Sequence, residues 1–110
     1  MAATKIQGTR EIWPARLKEA RLAAGLSQRE LGVAAGIDPG VASTRVNRYE
    51  QGVHQADFQI AVQLAKVLRV PAAFLYCEDD EVAALLVALH RAPSTLRRRL
   101  IREVIQQAQG

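Results

Sequence analysis

The 110-residue sequence has a single cysteine, Cys77, so it can form no internal disulfide and no zinc site built on a cysteine cluster. Aromatic residues are scarce: two Phe, two Tyr and one Trp leave Leu, Val, Ile and Ala to fill a core. The longest apolar run, Val82–Leu89, has eight residues, far short of the roughly 18 that a membrane span requires. The opening MAATKIQGTR lacks the apolar stretch of a secretory signal, so a cytoplasmic protein with no membrane partner is expected. There is no Ser–His–Asp spacing, no glycine loop suited to cradling phosphate and no carboxylate pair in an apolar setting. These absences point away from an enzyme and from any bound metal or other cofactor. Cys77 reads as a small buried apolar residue, His54 as a surface residue, and His90 as a helix-end residue favoured by the dipole.

What is present is helical. The net charge is +4, and twelve of the fifteen cations are Arg. Arg carries the planar fork that matches phosphate and guanine edges, although a bias toward Arg codons would produce the same count. Residues 1–10 show no periodicity and read as a flexible tail. Ile12-Trp13-Pro14 opens a first helix, with Pro14 in its first turn, where the missing N–H costs nothing. Leu17, Ala20, Arg21 and Ala24 share one face of that helix, and Gly25 ends it. A cation in such an inward stripe needs a carboxylate partner. Ser27-Gln28-Arg29-Glu30 is a capping box, and the helix it opens runs to Ala35, with Gly36 as its stop. Gly32 inside it marks the close approach of another backbone.

After the turn-forming Ile37-Asp38-Pro39-Gly40, Ala42, Val46 and Tyr49 recur at helical spacing, with Val53 continuing the line. Ser43, Thr44, Asn47, Arg48 and Gln51 fall on the opposite side, which carries no acid. Solvated faces usually mix Glu and Lys, whereas amides, hydroxyls and a guanidinium are side chains that read bases. Glu50 stands at the edge of the buried stripe, where a lone carboxylate is costly. Further along, Asp57 caps a helix through Leu68 with Phe58, Ala61, Leu64, Ala65 and Leu68 inward, and Pro71–Tyr76 forms a short helix. Four acids, Glu78 to Glu81, lead into a helix to about His90 that is apolar almost all round. A last helix starts at Pro93-Ser94, with Leu96, Leu100, Ile101, Val104 and Ile105 on one side and Arg97, Arg98, Arg99 and Arg102 on the other. No segment reads as a strand, so the fold class is all-α.

The segments LKEARLAAGLSQRELGVAAG, RVNRYEQG and IAVQLAKVLRVPAAFL resemble the XRE family of lambda-repressor and Cro-like regulators over about residues 12–76. The resemblance implies a five-helix, lambda-repressor-like DNA-binding domain, here residues 11–77, with one or two additional helices in residues 78–110. It implies that Gln28 anchors phosphate and that Ser43, Thr44 and Arg48 face base edges, with Asn47 and Gln51 beside them. It also implies that Arg21 and Glu50 form a structural ion pair, which accounts for both misplaced charges. The chain departs from the family in having about four more residues before Tyr49-Glu50, close to one helical turn of about 3.6. Either the recognition helix is a turn longer, starting at Pro39, or Asp38–Val41 is an enlarged loop.

The expected function is that of a DNA-binding transcriptional regulator, a repressor, with double-stranded DNA as partner. The apolar excess of the last two helices points to a homodimer. The alternative is an antitoxin or interaction module whose C-terminal helices grip a toxin or other effector protein.

Overall fold

The computed structural model describes residues 9–109, and the residues assigned above to a tail lie largely outside that range. Among the described residues there are six α-helices, one 3-10 helix and no strand. The α-helices are α1 (Thr9–Ala23), α2 (Gln28–Ala34), α3 (Ala42–Glu50), α4 (Phe58–Leu68), α5 (Asp80–Arg91) and α6 (Ser94–Gln109), and the 3-10 helix Ala72–Tyr76 joins α4 to α5.

The first three helices end alike. Each closes on a glycine with positive φ, at Gly25, Gly36 and Gly52, and the next N–H reaches back five residues. At the end of α3 these bonds run from Gly52 N–H to the Tyr49 carbonyl at 3.2 Å and from Val53 N–H to the Arg48 carbonyl at 3.0 Å. That reversal throws Val53 out of line, so it is exposed and does not continue the buried stripe. α4 ends by the same geometry on Arg69, at φ 59°. Arg91, at the end of α5, compensates by donating to the freed carbonyls of Arg69 and Leu68 at 3.0 and 3.2 Å.

The core is built from Leu17, Leu31, Val46, Leu64 and Leu75, all fully buried, with Ala42, Tyr49, Ala61, Leu68 and Phe74 around them. α2 packs most closely on α3. The reason is Gly32: a Cβ there would lie 2.8 Å from the Ala42 Cβ and 3.1 Å from the Ala42 carbonyl oxygen. Gly32→Ala gains about 1 kcal/mol of helix propensity. It also forces α2 from α3, at an overpacking cost of about 1–3 kcal/mol. The expected result is a lower denaturation midpoint with an unchanged slope; a stabilised variant would refute the tight contact.

Several expectations are corrected. α1 starts at Thr9, so Pro14 lies inside it, beyond the first turn, and removes one backbone bond. Packing sustains the helix there, since Ile12 is buried and Trp13 meets Tyr49 edge-on with ring centroids 6.0 Å apart. Ala24 falls in the turn after α1 and is exposed. Phe58 is 73% exposed, because as the first residue of α4 it projects past the edge of the core that Ala61 enters.

Arg16 is the buried charge that periodicity passed over. It is 2% exposed, donates from Nε to the Cys77 carbonyl at 2.9 Å and stacks on Phe74, with Cζ 5.5 Å from the ring centroid. Its Nη2 lies 2.9 Å from Asp80 Oδ1, a close charge contact off the line of a good hydrogen bond. Arg16 thereby ties α1 to the start of α5, and Asp79 caps α5 by accepting from Val82 N–H at 3.0 Å. α5 is less apolar in its setting than its sequence suggests: Ala83 is its buried residue, while Val82 and Leu85 are exposed. In α6 no residue is buried. At about 100° per residue Arg97 falls within the apolar arc, not opposite it, and it is partly covered while Arg98, Arg99 and Arg102 are exposed.

Candidate nucleic-acid interface

The turn before α3 resolves the two lengths open to it. Val41 N–H donates to the Asp38 carbonyl at 3.0 Å, closing a tight turn around Pro39 and Gly40, and the helix begins at Ala42. The additional residues therefore make a larger loop, because Pro39 and Gly40 at the centre of a turn favour it over a helical turn. Val41 stands where a polar cap is usual and makes no side-chain cap bond.

Ala42, Val46 and Tyr49 bury one side of α3 against the core. Ser43, Thr44, Asn47, Arg48 and Gln51 are all exposed. At about 100° per residue they span one face, with Arg48 at one margin. Arg45, outside the face that spacing assigns, is exposed on its flank next to Arg48. Its signal was the plain one of a second cation in a nine-residue helix with no acid in its first turn.

The nearest acid, Glu50, is neutralised from behind. Arg21 Nε donates to Glu50 Oε2 at 2.6 Å and Nη2 to Oε1 at 3.0 Å, a two-pronged pair, while Nη1 donates to the Leu26 carbonyl at 2.9 Å. The side chains are 10% and 3% exposed, so the pair is shielded from water. The hydrogen bond to Glu50 holds the Arg21 guanidinium above its ordinary range, outweighing the opposing effect of burial. α1 is thus bolted to the end of α3.

Gln28 joins the same cluster. Its Nε2 donates to Glu50 Oε1 and to Asn47 Oδ1, both at 3.2 Å. The structure therefore brings Arg21, Glu50, Gln28 and Asn47 together and leaves Ser43, Thr44, Arg48 and Gln51 free on the surface. Gln28 is held in place by the first turn of α2. There Ser27 Oγ accepts from Glu30 N–H at 2.9 Å and Glu30 Oε1 accepts from Ser27 N–H at 2.8 Å. The Ser27 backbone N–H, and secondarily its hydroxyl, hold the Glu30 carboxyl below the ordinary carboxylate range.

An exposed, acid-free helix face behind a second packed helix is the geometry of a helix-turn-helix. The model of the helix-turn-helix family matches residues 17–75, which includes α2, α3 and the ion pair. The chain belongs to the XRE family of helix-turn-helix proteins. It is similar to the transcriptional regulator BswR, whose crystal structure superposes with a TM-score of 0.77 at 41% identity. The match covers 88% of this chain and 98% of that one, so it extends beyond the helix-turn-helix into the C-terminal helices. No curated protein matches the chain. Among the described residues, no helix of this XRE-family protein is long and apolar enough to cross a membrane.

Proposed function

We propose that the protein is a sequence-specific transcriptional regulator that lays α3 in the DNA major groove. The observation that carries this reading is the acid-free face of Ser43, Thr44, Asn47, Arg48 and Gln51, fixed to the core through Glu50 and Arg21. Hydroxyls, amides and guanidinium are the groups that pair with base edges. Membership of the family, and likeness to a protein described as a transcriptional regulator, support it. In this reading residues 11–77 bind DNA in the cytoplasm. Residues 78–110 join two copies, and the dimer represses the promoter it covers.

Selection from a random DNA pool tests the core of the proposal. The expected product is a near-palindrome whose half-sites lie about 34 Å apart, one per recognition helix. No enrichment over the starting pool would sink the proposal. Arg48→Ala should lose about 1–3 kcal/mol of preference at one base position, measured by competition with mismatched sites. Equal losses on specific and random DNA would remove Arg48 from base reading and leave it on the phosphates.

A further inference from the structure

The polarity of every hydrogen bond in the cluster under α3 is forced. A guanidinium has donors and no acceptor, and an ionised carboxylate has acceptors and no donor. Arg21 bonded to both oxygens of Glu50 therefore fixes Glu50 as acceptor. The Gln28 atom beside Glu50 Oε1 must then be its NH2 group, which settles which way the amide points. That same NH2 group has a second hydrogen, and its neighbour on Asn47 must accept it, so the Asn47 atom there is Oδ1. The remaining branch of Asn47 is its own NH2 group, which among the described residues has no partner and belongs to an exposed residue on the proposed reading face.

We infer that Asn47 meets DNA as a hydrogen-bond donor, its amide held by Gln28, and that it selects a base edge made of acceptors, that of guanine. An asparagine that reads adenine uses both of its atoms, accepting from N6 and donating to N7. Here the oxygen is turned inward toward α2 and engaged, which leaves two N–H groups to face the acceptors O6 and N7 of guanine. Gln28 is the positioning residue. Both of its side-chain hydrogens are engaged within the fold. Ion pair, glutamine and asparagine form one relay from the core to the groove, and the buried charge sets the sign of the last member. This inference rests on α3 reading DNA, and its test separates the two.

The experiment is selection of bound sequences with the full-length chain, followed by competition binding of each single-base variant of the consensus. For the unaltered protein one position should require guanine over adenine by about tenfold. Asn47→Asp keeps an oxygen for Gln28 but removes both outward donors; it should lose that preference and bind the guanine site at least about tenfold less well. Gln28→Ala releases the asparagine amide to rotate, so the guanine-to-adenine ratio should collapse toward about one at that position while the other positions keep theirs. Thermal denaturation of both variants verifies that the fold is retained. A Gln28→Ala protein that weakens on every sequence with all ratios intact would overturn the relay, as would an Asn47→Asp protein with undiminished guanine preference. The added charge of Asn47→Asp weakens binding to every sequence alike, so the guanine-to-adenine ratio is the readout, and even weakening with that ratio intact would overturn the base assignment. A pool that enriches nothing defeats the DNA reading itself, whereas a consensus that neither variant alters defeats this inference alone.

Discussion

Arg21→Ala is expected to cost several kcal/mol of folding stability, within the roughly 3–5 kcal/mol seen when one partner of a buried pair is removed. Three bonds disappear together: two to Glu50 and one to the Leu26 carbonyl. The Glu50 carboxylate, its side chain 3% exposed, is left to Gln28 alone. Glu50→Ala should cost a similar amount for the mirror-image reason, because it strands a guanidinium.

Urea denaturation of both variants at neutral pH checks the magnitude. A loss below about half a kcal/mol in either at neutral pH would mean the pair is ornamental to the fold, contrary to its burial.

The second large effect is expected at the other end of the chain. α6 is a 16-residue helix with no buried residue and, at most, glancing contact with its neighbours. Helices in proteins owe most of their stability to packing of an apolar face, so the stripe of α6 needs a cover. Val104 and Ile105 are 65% and 50% exposed, and both carry little of the monomer's own packing. Val104→Glu with Ile105→Glu should therefore leave the monomer folded and convert a dimer to a monomer in light scattering. With the two half-sites no longer engaged together, affinity for the full palindrome should fall about a hundredfold or more while half-site affinity is retained. A native protein already monomeric at micromolar concentration would contradict the homodimer. Recovery of one stoichiometric foreign partner from its own cell extract, lost in the double variant, would favour the interaction-module alternative.

What the sequence determined by itself was local or periodic. The capping box at Ser27–Glu30, the glycine stops, the Asp57 cap and the buried stripe of α3 depend on neighbours within a turn or two. Arg21 and Glu50 each stood out by spacing, one inside an apolar stripe and one at the edge of another, and the family resemblance joined them as a pair. Even the tight α2–α3 contact showed in a single misplaced glycine, Gly32.

Tertiary structure decided whatever depended on the third dimension. Periodicity assigns a residue to a face but cannot say where the core stops, so Phe58 and Val53 emerged into solvent despite their register. It cannot show that Arg16 is buried, since its partners Phe74, Cys77 and Asp80 lie about sixty residues away. Pro39 and Gly40 incline the residues before α3 toward a loop, and the folded chain settles it with the Val41 N–H to Asp38 carbonyl bond that closes the turn. Above all, spacing put Asn47 on the exposed face but gave no direction to its amide. That direction passes from Arg21 through Glu50 and Gln28, three residues on three different helices, and it exists because only in the folded chain do they touch.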